Sequence, residues 1–150
     1  MTSMTLMTLI QTNHDYSYDI SQLALTCQKS PLPSDAVTQM TELTRQLMER
    51  NSLTKEDVQF VVPHQANLRI IEAVSKRLDL DESQVLVNIE NVGNTSGASI
   101  PICLCDYEDR LKKGDNVILT AFGAGFTFGS MFLKWGYDGK QRVEEVKQNS

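Results

Sequence analysis

The sequence predicts a three-layer α/β domain built on a mixed sheet. Two observations carry this. Segments with helical apolar spacing alternate with short β-branched runs, in the order helix, strand, helix, strand, helix, strand, strand. The last two strands are separated only by the tight turn Gly123-Ala124-Gly125, which makes them antiparallel neighbours in a sheet whose other connections run through helices.

Each element has its own signal. Residues 1–33 are rich in Thr, Ser and Gln and end in Ser-Pro-Leu-Pro, a turn signal, so they read as a ragged start or a loop. Ser34 can cap a helix over 35–50, in which Val37, Met40, Thr41, Thr44, Leu47 and Met48 recur at helical spacing. Thr54 and Asp57 have the spacing of a short capping turn. Residues 58–62 form a compact β-branched run stopped by Pro63, the pattern of a buried strand. A second helix is expected over 65–80, with Leu68, Ile71, Val74, Ser75 and Leu78 on one side. A short strand follows at 85–88, then a polar loop of small residues over 91–99. The third helix is expected over 98–112, with Pro101 in its first turn, where a missing N–H matters little. Strands over 116–122 and 126–135 flank the glycine turn, and 136–150 reads as a polar, charged tail. The domain proper is therefore expected over 34–135.

The bulk numbers bound the function. A chain of 150 residues can bury one real core. Its net charge of −5 argues against a nucleic-acid partner, because phosphate binding needs a basic surface. No apolar run approaches the roughly 18 residues of a membrane helix. The N-terminus has no positive region ahead of its apolar residues, so it does not read as a signal peptide. Three cysteines, an odd number, suit no disulfide framework and point to a reducing cytoplasm. Cys103 and Cys105 lie two apart, Cys27 is distant and no His cluster is near, so no metal site is expected.

Three places could carry chemistry. His64 follows a buried strand and precedes a helix, which puts it at the usual mouth of an α/β site. A histidine there can equally be a structural group hydrogen-bonded at a strand end. Asn94 lies in Gly93-Asn94-Thr95-Ser96-Gly97, a loop suited to close backbone approach, and its carboxamide can hold a carbonyl oxygen. A plain turn asparagine is the competing reading. The turn in Phe122-Gly123-Ala124-Gly125-Phe126 could aim backbone N–H groups at an oxyanion. Its glycines do not form a dinucleotide loop, because no helix N-terminus follows to hold pyrophosphate.

Together these motifs resemble a known family. Val62-Pro63-His64-Gln65-Ala66-Asn67-Leu68-Arg69-Ile70 looks like the histidine motif of 3-oxoacyl-(acyl-carrier-protein) synthase III. Gly93-Asn94-Thr95-Ser96-Gly97-Ala98-Ser99-Ile100-Pro101 looks like its asparagine motif, and the segment 121–130 looks like its C-terminal glycine turn. The three stand in the family's order, and the match covers about 35–135.

The resemblance implies a thiolase-like C-terminal half, with a mixed five-stranded sheet flanked by helices. It implies a Cys-His-Asn triad, of which His64 and Asn94 are the second and third members. The two would hydrogen-bond a malonyl thioester oxygen and stabilise the enolate left by decarboxylation. Asn67 would contact the pantetheine arm, and Arg69 would help dock an acidic acyl carrier protein. The backbone N–H of Ala124 would join the oxyanion hole, and Phe122 would border the acyl pocket. Alanine at 124 departs from the family's common glycine. The substrates implied are acyl-CoA and malonyl thioesters, with no separate cofactor.

The family's nucleophilic cysteine belongs to a preceding half, which is not in this sequence. Cys103 and Cys105 are expected to be buried and inert, and Cys27 has no helix start after it to lower its pKa. A lone half should also leave an apolar face on the third helix, around Ile100, Ile102, Cys103 and Leu104, for a partner such as the N-terminal half or a second copy. Three readings follow: half of an acyl-condensing site, a carrier-binding subunit without catalysis, or a truncated fragment.

Overall fold

The computed structural model describes residues 24–29 (backbone alone), 36–123 and 127–148. Four strands form one sheet in the order β1-β4-β3-β2: β1 (Ala24–Lys29), β2 (Phe60–Pro63), β3 (Asn116–Gly123) and β4 (Thr127–Lys134). β3 pairs antiparallel with β4, Ile118 facing Phe132 and Phe122 facing Phe128, while β2 and β3 run parallel. The mixed sheet and the antiparallel final pair stand as the sequence predicts. β1 pairs antiparallel with β4 and is an addition, because the segment holding it reads as a loop. The five strands of the resemblance are found as four plus a single parallel bridge, Val61 to Val85. The expected strand at 85–88 goes no further because Asn88 and Ile89 already begin a helical turn.

Alternation along β3 and β4 gives the sheet two apolar faces. Helix α1 (Ala36–Arg50) covers one, with Leu47 packed on Val61, Ile118 and Phe132. Helix α2 (Leu68–Arg77) joins it there, and Val74 and Leu78 meet Val37, Met40, Leu43 and Phe128. On the other face, helix α4 (Ser99–Asp106) sets Cys103 against Val62, Leu86, Leu111 and Val117. Each such fully buried aliphatic side chain contributes about 1.5–3 kcal/mol. Helix, sheet and helix make the three layers. The threonines on the apolar face of α1 are also accounted for. Thr44 Oγ1 lies 3.2 Å from Ser130 Oγ, which donates to Thr120 Oγ1 at 2.9 Å, so three buried hydroxyls satisfy one another beneath α1.

Several boundaries move for local reasons. α2 begins at Leu68, because Asn67 caps it by accepting from the Arg69 N–H at 2.9 Å. The Thr54–Asp57 capping turn is present, with the Thr54 N–H donating to Asp57 Oδ2 at 2.8 Å. α4 ends at Asp106, short of the expected 112, and the chain continues as a single 3-10 turn, Glu108–Arg110. The Ser34 cap lies outside the described residues. In the segment read as a tail, helix α5 (Gly139–Gln148) forms, and its first residue is buried against that 3-10 turn. Among the described residues no helix is long and apolar enough to cross a membrane.

Gly139 has a steric reason to be glycine. Its N–H donates to the Leu111 carbonyl at 2.8 Å, and a Cβ there would lie 1.7 Å from the Glu108 carbonyl oxygen. Gly139→Ala should therefore lift α5 off the domain at a loss of roughly 1–3 kcal/mol. Hydrogen exchange should show new exposure in Gly139–Gln148 and Glu108–Arg110, with the β3–β4 pair unchanged.

Candidate active site

Strands β2 and β3 run in the same direction, so their C-terminal ends form one edge of the sheet. His64 stands at that edge. Its N–H donates to the Thr120 carbonyl at 2.7 Å, which carries the β2–β3 pairing one residue beyond Pro63. The ring is half-buried, with Nδ1 2.6 Å from Ser99 Oγ and its centroid 5.7 Å from that of Phe122 in an edge-to-face arrangement. Burial pushes the imidazole pKa below its ordinary 6.5. Ser99 opens α4.

Gln65 follows, with no solvent exposure. Its Nε2 donates to the Pro63 carbonyl at 2.8 Å and the Leu86 carbonyl at 3.2 Å. Its Oε1 accepts from the N–H groups of Asn88 at 3.0 Å and Ile89 at 3.2 Å. Those N–H groups begin the short helix α3 (Ile89–Val92) and have no partner within it, so the carboxamide caps α3 from across the core.

α3 delivers Asn94. Gly93 closes the helix at φ 70° and ψ −165°, a conformation essentially reserved for glycine. The Ser96 N–H then donates to Asn94 Oδ1 at 2.9 Å, in a turn that holds Ser96 at φ 52°. This fixes which end of the carboxamide is which. Nδ2 lies 3.5 Å from the Ala66 carbonyl, at the outer limit of a hydrogen bond, within the turn that follows His64. Asn94, thirty residues on from His64, thus approaches the turn that follows His64 at the Ala66 carbonyl.

Phe122 is half-buried, its ring centroid 6.5 Å from that of Phe128, so it links this corner to the core under α1. Asn67 and Arg69 lie exposed at the start of α2, and capping commits one lone pair of Asn67 Oδ1 while leaving its NH2 group. Ala124 lies outside the described residues, as does the side chain of Cys27. The two cysteines of α4 part company. Cys103 is fully buried and its thiol is pushed up to about 12, chiefly by burial and then by the Asp106 carboxylate. Cys105, expected to be buried, is exposed, because two positions along a helix turn a side chain by about 200°. For the same reason Cys103 is not part of an uncovered face: it points at the sheet, and Ile100, Ile102 and Leu104 beside it are partly buried. Among the described residues no group of three His, Cys, Asp or Glu side chains could hold a metal ion.

Residues 48–135 match the family described as 3-oxoacyl-[acyl-carrier-protein (ACP)] synthase III C terminal. The chain belongs to this family. The beta-ketoacyl-[acyl-carrier-protein] synthase III 2 of Bacteroides thetaiotaomicron is 58% identical over 106 residues, which is 71% of this chain and 32% of that protein. The 3-oxoacyl-(acyl carrier protein) synthase III of Pseudomonas aeruginosa, a crystal structure, superposes with a TM-score of 0.69 at 36% identity, over 75% of this chain and 44% of that one. The Thermus thermophilus synthase III gives 0.65 at 48% identity, over 67% and 32%. This synthase III C-terminal domain thus has the thiolase-like fold that its motifs imply, and it spans about a third of the length of its curated relatives.

Four residues that position the site have no separate signal in the sequence: Gln65, Gly93, Ser96 and Ser99. All lie inside the two motifs, but only the folded chain shows the hydrogen bonds and backbone conformations by which they hold the segments bearing His64 and Asn94.

The imidazole environment has a measurable consequence. The folded-state pKa of His64 lies below 6.5, so the unfolded chain takes up the proton first as pH falls. The contribution of this group to stability is whole above pH 6.5 and is lost as pH drops through the folded-state value. A ring-proton NMR titration, with His14→Gln to identify the second imidazole, should give a midpoint below 6.5 for His64. A midpoint above that value would contradict the burial argument.

Proposed function

We propose that this domain carries the histidine and asparagine half of a decarboxylative Claisen condensation site, which joins an acyl thioester to a malonyl group on an acyl carrier protein in fatty-acid or polyketide synthesis. One observation supports this best. The Asn94 carboxamide is pinned through Oδ1 and lies against the turn that carries a neutral His64, so two side chains with N–H groups to give are held at one corner.

The chemistry asks for that arrangement. In the malonyl thioester the bond from C2 to the carboxylate breaks and carbon dioxide leaves. The electron pair moves into C2 and the thioester carbonyl, whose oxygen becomes negative. N–H donors from His64 and Asn94 stabilise that oxygen, an interaction that strengthens as the charge develops. C2 then attacks the carbonyl carbon of an acyl group held as a thioester on a cysteine, the thiolate departs, and a 3-oxoacyl thioester remains. The thioester itself absorbs the electrons, so the step requires no metal and no resident cofactor.

The cysteine comes from an N-terminal half that completes the site, since a buried thiol with a pKa of about 12 makes Cys103 a poor nucleophile. Phe122 borders the acyl pocket and the Ala124 N–H serves the acyl oxyanion. The NH2 group of Asn67 meets the pantetheine arm, and Arg69 meets the acidic carrier. The chain alone is inactive, and its cysteine usage suits the cytoplasm.

A chimaera tests this. This domain replaces the matching C-terminal third of the Bacteroides thetaiotaomicron relative, and malonyl-carrier decarboxylation is assayed. In the chimaera His64→Ala should cut decarboxylation by about 10²–10³-fold, the worth of an oxyanion donor. Acylation of the cysteine by acyl-CoA, read by intact mass, should persist. Loss of acylation, or undiminished decarboxylation, would refute the role given to His64. A chimaera that binds the carrier but never decarboxylates malonyl thioester would favour a binding subunit instead.

A further inference from the structure

We propose that Ser99 is a positioning residue: its buried hydroxyl donates to Nδ1 of His64 and so keeps the neutral imidazole in the form that carries its proton on Nε2. The proposal rests on the condensing-site reading and adds to it the direction in which His64 works.

Ser99 is 1% exposed, so its hydroxyl has no solvent to turn to. Its Oγ has two partners among the described residues, the Gln65 N–H at 3.3 Å and His64 Nδ1 at 2.6 Å. The peptide N–H can only donate, so it occupies a lone pair of Oγ. The serine hydrogen then needs an acceptor, and Nδ1 is the one within reach. The reverse arrangement, with Nδ1–H donating to Oγ, would leave a buried hydroxyl hydrogen without any acceptor, which proteins avoid. Burial acts in the same direction by keeping the ring uncharged, so that Nδ1 has a lone pair to offer.

The tautomer decides the chemistry. With its proton on Nε2, the outer nitrogen of His64 is a donor and has no lone pair with which to abstract a proton. The opposite tautomer would present a lone pair to an enolate oxygen and repel it. Ser99 does for His64 what the Ser96 N–H does for Asn94: each fixes one end of an ambiguous polar group so that the other end shows N–H.

The test uses the 150-residue chain, uniformly labelled with ¹⁵N, which holds only two histidines. Long-range ¹H–¹⁵N imidazole spectra above the His64 titration midpoint report which nitrogen carries the proton. The expected result is Nε2–H for His64. Ser99→Ala should raise the Nδ1–H population on the order of fivefold, the equilibrium worth of one ordinary hydrogen bond. Ser99→Thr, which keeps the hydroxyl, should retain the parent pattern. An Nδ1–H imidazole in the parent chain overturns the proposal without any variant. So does a parent-like tautomer balance in a folded Ser99→Ala protein. An Nδ1–H imidazole would also remove the donor role given to His64, whereas a parent-like balance in Ser99→Ala leaves that role standing; decarboxylation by the chimaera tests the condensing-site reading on its own.

Discussion

The carboxamide of Gln65 sits without solvent exposure between the end of β2 and the segment that leads to Asn94. It uses every hydrogen-bonding site it has. Two N–H bonds go to carbonyls on either side, and two lone pairs take the first N–H groups of α3. Leaving any one of those buried backbone groups unpaired would cost about 1–3 kcal/mol. This side chain is therefore less a member of the site than the joint on which it is assembled. His64 precedes it directly in sequence, and Asn94 hangs from the helix that it caps.

Around that joint the two working side chains are prepared by different means. Burial lowers the pKa of the imidazole and so favours its neutral form, and its inner nitrogen is engaged by Ser99. The carboxamide of Asn94 is turned by a backbone N–H, in a loop that pushes Ser96 into the left-handed region. A conformation of that kind is held by its surroundings, here by the bond from the Ser96 N–H to Asn94 Oδ1. Beneath them the paired hydroxyls of Thr44, Ser130 and Thr120 and the Phe122–Phe128 contact tie the edge of the sheet to the core. The thiols contribute nothing comparable: one described cysteine is sealed in the core and the other lies on the opposite side of α4.

Much of this was legible in the sequence, because apolar periodicity and motif identity are local properties. Helix α1 and the β3–β4 pair stand where spacing puts them, whereas the loop expected over 91–99 holds the end of α3 and a 3-10 turn, Ser96–Ala98. The failures have a common cause. α2 starts late because residues 65–67 have other duties, Gln65 as a buried tie and Asn67 as a cap, and apolar spacing cannot register either. The strand at 85–88 shrinks to one bridge because Gln65 turns the chain into α3 at Asn88. β1 escapes notice because its pairing with β4 joins segments about a hundred residues apart. α5 reads as a polar tail because its docking depends on a glycine small enough to touch a carbonyl. Long-range hydrogen bonds and close approaches leave no periodic trace.

One side chain, Gln65, holds the two loops together. Residue-resolved amide hydrogen exchange, compared between the parent chain and Gln65→Leu, tests it most directly. The amides of Asn88 and Ile89 should be protected in the parent and lose that protection in the variant, while Val117 and Ile118 in β3 keep theirs. Equal protection of Asn88 and Ile89 in both proteins would contradict it.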